Sequence, residues 1–576
     1  MMRFRTGRAL SLIAALALIW TPAAQSAAPT PVGAEHGMVV SAHRLASKAG
    51  VDVLKAGGNA VDAAVAVGYA LAVTFPEAGN LGGGGFMTIR FHDGRTAFID
   101  FRETAPGAAT ATMFQDANGN PVASRSRRGY LAVGIPGTVA GLELARTRFG
   151  TKSRSQLMAS AIQLARDGFI LDQGDADFLA TSAEEFRKDP ATAAIFLNHG
   201  EPWKGGDRFV QADLGRSLQQ IATTGPSAFY NGPIAAKIVA ASKAHGGIMA
   251  LADFANYRAR ELKPLECDYR GYHIISAPPP SSGGIVICET LNILEGYPIA
   301  KLGFHSAAGT HLLVEAMRRA YHDRNVNLGD PSFVKVDTAH FIDKGYAETL
   351  RKGIDLNRAT PSSSLPAPGI LNEGKSTTHF SIVDAQGNAV SLTYTLNDWF
   401  GAHVTAAGTG ILLNDEMDDF SAKPGSPNMF GLVEGPNNAV APGKRPLSSM
   451  TPTIVTKDGQ LSMVVGTPGG SRIPSAVLET ISNMIDFDMT VTEAVDQPRI
   501  HHQWLPDEVG YEQFGLSADT IAKLEGMGHK VVPMPYGNQV AAILVGAPSI
   551  GGKPLGRDRL YGAIDPRLNV GDVEGY

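Results

Sequence analysis

The stretch "KSTTHFSIVDAQGNAVSLTYTLND", residues 375–398, has the pattern of a β-hairpin. Two runs rich in Val, Ile, Thr and aromatic residues flank the turn sequence DAQGN, as in antiparallel strand pairs. Pairing that is symmetric about Gln386 brings Thr377 opposite Thr395. Facing side chains lie on one side of a sheet within contact distance. The sequence therefore predicts two threonine hydroxyls side by side at the open end of this hairpin.

A threonine hydroxyl is a weak nucleophile that needs a base beside it. The sequence contains neither a G-x-S-x-G nor an H-E-x-x-H motif, and the adjacent His501 and His502 would point to opposite faces of a strand. A chain cut before Thr377 would solve the problem, because the freed α-amino group, with a pKa of about 8, can act as the base. Residues 355–376, rich in Pro, Ser and Gly, form a linker-like stretch just upstream. From spacing alone, an ordinary hairpin remains the alternative.

Length and composition describe an ordinary globular protein. The 576 residues are enough for one large core or for two to three domains. A net charge of −5 gives no electrostatic support for a nucleic-acid partner. Apolar periodicity persists between the 65 glycines, which indicates tight turns instead of disorder.

Residues 1–27 have the pattern of a signal peptide: three arginines, an apolar run over residues 9–20, and small residues after it. The apolar run is too short to cross a bilayer, and no cysteine follows it to carry a lipid. We expect export, to a bacterial periplasm or as a secreted protein, without a membrane anchor after cleavage. In such a compartment Cys267 and Cys288 could form a disulfide, although two separate buried thiols fit equally well.

Other stretches alternate between helical and hairpin patterns. A helix over residues 44–55 should end at Gly57-Gly58, and Asn59 should cap the next helix. Four glycines, residues 82–85, precede a strand, so they do not form a dinucleotide-binding fingerprint. Residues 451–466 read as a second hairpin. Hairpins mixed with amphipathic helices predict a layered α/β fold with largely antiparallel sheets.

Nine stretches, in this order from about residue 43 to the C-terminus, resemble the γ-glutamyltransferases, glutathione-processing members of the N-terminal-nucleophile hydrolases. They are GGNAVDAAVAV, AGNLGGGGFM, DFRETAP, DYRGY, PPPSSGG, STTHFSIVDAQGNAVSLTYTLNDWFG, GILLNDEMDDFSAKPGSPN, KRPLSSMTPTIV and GTPGGSRI. The resemblance implies an αββα sandwich, with largely antiparallel sheets between helical layers.

The resemblance also implies self-cleavage between Ser376 and Thr377. Residues 28–376 would become the large subunit and residues 377–576 the small catalytic subunit of a heterodimer. Thr377 would attack its own preceding carbonyl and then serve as the catalytic nucleophile. Thr395 matches the family threonine that hydrogen-bonds near the new amino terminus.

An oxyanion hole and a carboxylate site follow from the same resemblance. Gly469 and Gly470 match the family pair whose backbone N–H groups stabilise the oxyanion; alone, they would indicate only a tight turn. Arg102 matches the arginine that binds the substrate α-carboxylate, and Ser448 and Ser449 match hydroxyls that bind the same group. Without the resemblance, Arg102 would read as a surface charge and the two serines as a loop.

Three residues match the family positions that bind the substrate α-ammonium: Asn397, Glu416 and Asp419. Glu416 and Asp419 are three residues apart, so one helical turn can bring them together. Alone, they would indicate a solvated acidic turn, and their spacing does not fit an EF-hand. The Glu416 position is Gln in some bacterial members, and either side chain can accept from an ammonium.

One position departs from the family. The stretch SAKPGSPNMFGLVEGPNNAVAPGKRPLSS, residues 421–449, resembles a lid loop in which a tyrosine hydroxyl bonds the asparagine matching Asn397. Phe430 occupies that tyrosine position. A phenyl ring can cover the site but cannot make this hydrogen bond.

The implied function is transfer of the γ-glutamyl group of glutathione, or of another γ-glutamyl amide, to water, an amino acid or a dipeptide. The transfer would pass through an ester on Thr377 and needs no cofactor or metal. One alternative is a cephalosporin or glutaryl acylase of the same fold, but its acyl groups lack the ammonium that Asp419 would bind. The other is a processed, non-catalytic binding protein, against which the intact Thr377, Thr395, Gly469 and Gly470 argue.

Overall fold

The computed structural model describes most of the chain: residues 29–365, 377–552, 558–568 and 570–576. The predicted signal peptide, residues 1–27, lies outside the described residues. So do Ser376 and the second half of the linker-like stretch, residues 366–376.

Nineteen strands occur within these ranges. In chain order they are β1 (Val32–Ala34), β2 (Met38–Ser41), β3 (Gly84–Arg90), β4 (Thr96–Asp100), β5 (Phe169–Ile170), β6 (Arg208–Phe209), β7 (Arg260–Leu262), β8 (Leu265–Tyr269), β9 (Tyr272–Ser276), β10 (Thr378–Val383), β11 (Ala389–Thr395), β12 (Thr453–Lys457), β13 (Gln460–Gly466), β14 (Ile500–His501), β15 (Val509–Tyr511), β16 (Val531–Pro533), β17 (Ala541–Val545), β18 (Leu560–Ile564) and β19 (Asp572–Gly575).

Twenty α-helices occur in the same part of the chain. In order they are α1 (Arg44–Lys55), α2 (Ala60–Thr74), α3 (Ala123–Arg127), α4 (Thr138–Phe149), α5 (Arg154–Asp167), α6 (Gln173–Thr181), α7 (Ala183–Phe186), α8 (Pro190–Phe196), α9 (Ala212–Thr224), α10 (Ser227–Tyr230), α11 (Pro233–Ala244), α12 (Leu251–Asn256), α13 (Gly283–Leu294), α14 (Ile299–Leu302), α15 (Ala307–Asn327), α16 (Thr338–Phe341), α17 (Lys344–Lys352), α18 (Ile473–Ile485), α19 (Val491–Asp496) and α20 (Ala518–Gly526).

Two seven-stranded sheets form the centre of the molecule. One has the strand order β19-β2-β10-β11-β3-β4-β7, and the other β1-β18-β17-β13-β12-β9-β8. Neighbouring strands are antiparallel throughout both sheets. This arrangement confirms the predicted antiparallel sheets, including the second hairpin, β12–β13.

Helices cover the outer face of each sheet. Helices α1, α2 and α4 pack on the sheet that contains β10, and α13 and α18 pack on the other sheet, while α5 packs on α2 and α15 packs on α13. Apolar side chains from both sheets fill the space between them, for example Val383 from one and Ile454 from the other. The predicted αββα sandwich is therefore confirmed. None of the helices in the described ranges combines the length and the apolarity that a membrane span requires.

The local signals near the N-terminal helices also hold. Helix α1 covers the predicted residues and ends just before Gly57. Asn59 caps α2: its side-chain oxygen accepts a hydrogen bond from the backbone N–H of Asp62, and the Asp62 carboxylate accepts one from the Asn59 N–H.

The hairpin β10–β11 has the predicted symmetric register. Thr378 lies opposite Tyr394, and Val383 lies opposite Ala389. Thr377 directly precedes the first of these pairs, and Thr395 ends β11. Because β2 flanks β10 and β3 flanks β11, the hairpin lies in the middle of its sheet.

Polar side chains connect this hairpin to the opposite sheet. His379 bonds Thr393 Oγ1 at 2.8 Å and Ser381 Oγ at 3.1 Å, and Ser381 Oγ donates to the carbonyl of Ala541 at 3.0 Å. Burial lowers the pKa of His379 to about 3, so the ring is neutral at physiological pH. A β-carbon at Gly466 would lie 2.3 Å from the His379 ring, so only glycine allows the two sheets to approach this closely here.

The cysteines form a disulfide between β8 and α13. Cys267 and Cys288 are bonded, with their Cα atoms 6.0 Å apart. Of the two alternatives that the sequence left open, the structure therefore contains the pair. The bond attaches a central helix of one outer layer to the edge strand of its sheet.

We expect the double substitution Cys267→Ala/Cys288→Ala to lower the free energy of unfolding by about 3 kcal/mol, because it opens a loop of roughly 20 residues. The measurement is the thermal unfolding midpoint with and without a reducing agent. Reduction should lower the midpoint of the wild type and leave that of the variant unchanged. Equal midpoints for oxidised wild type and variant would contradict a stabilising role of the disulfide.

Candidate active site

One small cavity brings together ten of the predicted site residues. They are Arg102, Thr377, Thr395, Asn397, Glu416, Asp419, Phe430, Ser448, Ser449 and Gly470. Gly469 directly precedes Gly470 but does not line the cavity, and Ser376 lies outside the described residues. Arg324, which carries no sequence motif, also lines the cavity.

The two threonines meet at the end of the hairpin, where both are nearly inaccessible to solvent. Thr395 Oγ1 accepts a hydrogen bond from the backbone N–H of Asn397 at 2.9 Å, and Asn80 Nδ2 donates to the Thr395 carbonyl at 2.8 Å. A β-carbon at Gly83 would lie 2.0 Å from that carbonyl. The predicted glycine loop therefore lets the chain pass directly against the end of β11.

Gly469 and Gly470 form the turn between β13 and α18. Their φ angles are +134° and +59°, which disfavour other residues. A β-carbon at Gly469 would lie 2.2 Å from Asn538 Nδ2, and one at Gly470 would lie 2.4 Å from Phe430 Cδ1. Both positions therefore require glycine, for the backbone angle and for the space that neighbouring side chains leave.

Arg102 is a buried cation, not a surface charge. It follows β4, and its guanidinium binds Glu416 Oε1 and Asp419 Oδ2 and also donates to the Pro446 carbonyl at 3.2 Å. The predicted helical turn is a 3₁₀ turn, Glu416–Asp419, that directs both carboxylates to Arg102. The guanidinium of Arg102 and the two carboxyl groups are therefore in direct contact in this structure.

Burial makes the carboxyl groups of this cluster hard to ionise. It raises the pKa of Glu416 well above its usual range and also raises the pKa of Asp419, while Arg102 opposes both shifts. Burial raises the pKa of Glu103 to about 7, with Arg102 Nη1 3.7 Å away. For Arg102, burial lowers the pKa, but Glu416, Asp419 and Glu103 outweigh it, so the guanidinium remains charged.

The same carboxyl groups have unused acceptor atoms. Within the described part of the chain, Glu416 Oε2 and Asp419 Oδ1 receive no hydrogen bond, although both atoms are buried. A buried acceptor without a donor is costly. A ligand that brings a positively charged donor would therefore satisfy both atoms and favour the ionised carboxylates.

The serine pair, Ser448 and Ser449, lines the cavity from the chain segment that precedes β12. Ser448 Oγ accepts from the backbone N–H of Met450 at 3.1 Å, and the Ser448 carbonyl accepts from Ser282 Oγ at 2.7 Å. Ser449 Oγ accepts from Arg324 Nη2 at 3.3 Å. Ser282 belongs to the Pro-Ser-Gly stretch before α13, which explains why that stretch is close to the site.

Phe430 covers part of the cavity, and its ring packs against Gly470. Asn397, with φ +82°, donates from Nδ2 to the Asp415 carbonyl at 3.1 Å and lies 3.4 Å from Met429 Sδ. The Asn397 side chain thus donates to a backbone carbonyl, and Phe430 offers it no hydroxyl. How Phe430 affects closure of the lid stays a prediction.

One group of side chains in the described ranges has metal-ligand types and spacing: His311, Glu315 and His529. His311 Nδ1 and His529 Nε2 are hydrogen-bonded at 2.8 Å, and Glu315 binds Arg319 at 2.6 Å. None of the three lines the Thr377 cavity. We interpret this group as a hydrogen-bonded contact between α15 and the segment after α20.

The sequence is similar to known proteins over most of its length. The "Glutathione hydrolase proenzyme" of Pseudomonas sp. (strain A14) is 60% identical over 553 residues, which are 96% of this chain and 96% of the relative. The protein of the same name from Escherichia coli (strain K12) is 52% identical over 549 residues, 95% of this chain and 93% of the relative. A solved cephalosporin acylase from Bacillus halodurans superimposes with a TM-score of 0.82 at 26% identity, over 97% of this chain and 99% of that one.

The family model described as Gamma-glutamyltranspeptidase matches residues 46–574. This match covers nearly the whole chain, and both hydrolase relatives extend over almost all of it. Together with the αββα architecture, these similarities show that the chain belongs to the gamma-glutamyltranspeptidase family of N-terminal-nucleophile hydrolases.

Proposed function

We propose that the protein is an exported, self-processing γ-glutamyltransferase that also hydrolyses glutathione. One observation carries the proposal: the predicted nucleophile, Thr377, shares a cavity with a buried cation, two carboxyl groups and two serine hydroxyls. A candidate nucleophile therefore lies beside side chains of the types that can bind an amino-acid zwitterion. The names of the two relatives, both hydrolases of glutathione made as proenzymes, agree with it.

The charges suit a γ-glutamyl group, which carries an α-carboxylate and an α-ammonium on one carbon. The α-ammonium would bind Glu416 Oε2, Asp419 Oδ1 and the Asn397 side chain. The α-carboxylate would bind Arg102 and the serine pair. Arg102 must then loosen its bonds to Glu416 and Asp419, and the ammonium replaces it as the positively charged partner of these two carboxylates. A bound zwitterion has no net charge, so it leaves the net charge of the cavity unchanged.

Self-processing would begin when Thr377 Oγ attacks the carbonyl carbon of Ser376. The acyl group moves from the Thr377 nitrogen to its Oγ, and water then hydrolyses the ester. The products are the Ser376 carboxylate and the Thr377 α-amino group. Residues 28–376 and 377–576 would stay together as a heterodimer, since β2 and β3 of the first piece flank β10 and β11 of the second.

In the transfer reaction, the Thr377 α-amino group takes the hydroxyl proton as Oγ attacks the γ-carbonyl carbon. Backbone N–H groups of the Gly469-Gly470 turn would stabilise the oxyanion. Collapse of this intermediate expels the amine, which receives the proton, and leaves a γ-glutamyl ester on Thr377. Water, an amino acid or a dipeptide then attacks the ester. These steps use no cofactor or metal.

An acylase function is the second candidate, because a cephalosporin acylase shares the fold. A glutaryl group has no α-ammonium, so it would leave Glu416 Oε2 and Asp419 Oδ1 without a donor. That cost favours γ-glutamyl substrates.

For location, the signal-peptide pattern of residues 1–27 supports export to the periplasm.

Self-cleavage gives the first prediction for this site. Signal-free protein should separate into fragments of about 37 and 21 kDa by mean residue mass, and the smaller should begin Thr-Thr-His-Phe on N-terminal sequencing. Purified Thr377→Ala should remain a single chain. Scission of that variant at the same bond would show that another group is the nucleophile of processing.

The Gly469-Gly470 turn gives the second prediction. Gly470→Ala places a methyl group 2.4 Å from Phe430 Cδ1 at a φ of +59°, which displaces the turn. We expect kcat/KM for a γ-glutamyl anilide to fall roughly 100- to 1,000-fold, the range for losing one oxyanion donor. Gly387→Ala is the control, since Gly387 has a φ of +89° and no atom within 4 Å of its β-carbon position. Equal activity losses in both variants would argue against an oxyanion role.

Asp419 gives the third prediction. Asp419→Asn removes the charge that binds the ammonium and also frees Arg102 from one anion. We expect kcat/KM for a γ-glutamyl anilide to fall at least tenfold, since losing one partner of a buried charged hydrogen bond costs about 2–5 kcal/mol. Hydrolysis of glutaryl anilide should hold or rise, because Arg102 becomes more available to its carboxylate.

Asp418→Asn is the matched control. Asp418 binds Ser126 and the backbone N–H of Met429 and does not line the cavity. The ratio between the two anilides should therefore stay at the wild-type value in this variant. If Asp419→Asn lowers both activities by the same factor in fully processed protein, Asp419 supports the scaffold and does not bind the ammonium.

A further inference from the structure

Arg324 is the cavity residue that no motif predicts. It lies near the end of α15, is only 1% exposed, and lines the cavity beside Ser448 and Ser449. Its guanidinium contacts four side chains: Ser282, Asn325, Glu434 and Ser449. A buried guanidinium with this many partners has a fixed orientation, because its planar fork holds several acceptors at once.

The contact with Ser449 determines the direction of one hydroxyl. Arginine can only donate hydrogen bonds, so Ser449 Oγ is the acceptor in its 3.3 Å contact with Arg324 Nη2. The Ser449 hydrogen is then directed toward another acceptor. Ser448 Oγ likewise accepts, from the backbone N–H of Met450 at 3.1 Å. Both serines of the pair are thus set to donate, which is the arrangement that a carboxylate ligand needs.

The contact with Glu434 connects Arg324 to the part of the lid loop that precedes the serine pair, residues 421–447, called the lid segment below. Arg324 Nη1 binds Glu434 Oε1 at 2.6 Å, and Glu434 is itself only 1% exposed. The Glu434 carbonyl accepts from the backbone N–H of Gly425 at 3.0 Å, which closes the loop that carries Phe430. One guanidinium therefore joins α15, the lid segment and the serine pair.

We propose that Arg324 is a positioning residue for the carboxylate end of the substrate. It holds Ser449 as a hydrogen-bond donor and ties that donor to the lid segment through Glu434. Although it is paired with Glu434, the Arg324 guanidinium also lies beside the serine pair, where it adds to Arg102 in attracting a carboxylate. This inference rests on the proposed γ-glutamyl function and extends it to a residue outside the expected site.

The test compares two substrates in fully processed protein: γ-glutamyl anilide and 4-aminobutyryl anilide, which lacks only the α-carboxylate. The variant is Arg324→Met/Glu434→Gln, because the second change avoids leaving a buried carboxylate without its partner. We expect the ratio of kcat/KM for the γ-glutamyl anilide to that for the 4-aminobutyryl anilide to fall about tenfold or more, as for a lost hydrogen bond to a charged group. Arg324→Lys keeps the charge but lacks the fork, so its ratio should lie between those of wild type and the double variant.

Arg319 on the same helix offers a matched control. It is also buried and paired, to Glu315 at 2.6 Å, but does not line the cavity. Arg319→Met/Glu315→Gln should lower the thermal unfolding midpoint and leave the substrate ratio unchanged. If Arg324 had a purely structural role, Arg324→Met/Glu434→Gln would likewise lower the unfolding midpoint and leave the substrate ratio unchanged.

Three outcomes separate the claims. If the double variant at Arg324 lowers both activities by one factor, the positioning role is overturned. If that variant does not self-process, Arg324→Lys decides by the same ratio, and an unchanged ratio overturns the role. If the wild type does not hydrolyse the γ-glutamyl anilide at all, the proposed function itself fails, and the inference falls with it.

Discussion

The antiparallel register between β10 and β11 is the constraint on which the site depends. It places Thr377 beside Thr395 at the end of a hairpin in the middle of a seven-stranded sheet. Since side chains alternate along a strand, a slip of one residue would turn these positions to opposite faces. The neighbouring strands β2 and β3, and the hydroxyls that bond across to the second sheet, oppose such a slip. A chain cut before Thr377 would therefore leave the new terminus in place.

The second constraint is the buried charge around Arg102. A guanidinium and two carboxyl groups enclosed by protein are stable only while they satisfy one another. In this structure they do so incompletely, because Glu416 Oε2 and Asp419 Oδ1 receive no bond from the residues that the structure describes. A substrate that carries both an ammonium and a carboxylate can complete the set. Under the proposed function, recognition would be an exchange of partners inside this buried charge cluster, and a substrate that lacks either charge would leave a buried group unpaired.

Local patterns in the sequence were sufficient for much of the fold and for the position of Thr377 opposite Thr395. The symmetry of the hairpin predicts the contact between Thr377 and Thr395, and the cap at Asn59 and the antiparallel layers follow from short-range signals. Long-range contacts were not accessible in this way. The ion pair of Arg102 with Glu416 joins residues 314 positions apart, and nothing near Arg102 in the sequence indicates that it is buried.

Nothing in the sequence indicated that Arg324 lines the cavity either. It stands in a helix among other charged residues, MRRAYHDRN, and only the packing of α15 against the serine pair distinguishes it from its neighbours. The pairing of Cys267 with Cys288 was open for a similar reason, since the distance between β8 and α13 depends on the whole layer. The family resemblance therefore indicated which chemical role to expect of each residue. The distances and contacts between these residues could be obtained only from the folded structure.

The central claim is that Thr377 carries the γ-glutamyl group during turnover. Acid-quenching the processed protein during turnover of a γ-glutamyl anilide, followed by mass spectrometry of its peptides, tests this claim directly. The account predicts that the N-terminal peptide of the smaller fragment gains the mass of one glutamyl residue, localised to Thr377. A modification on any other residue, or turnover without a modified peptide, would contradict it.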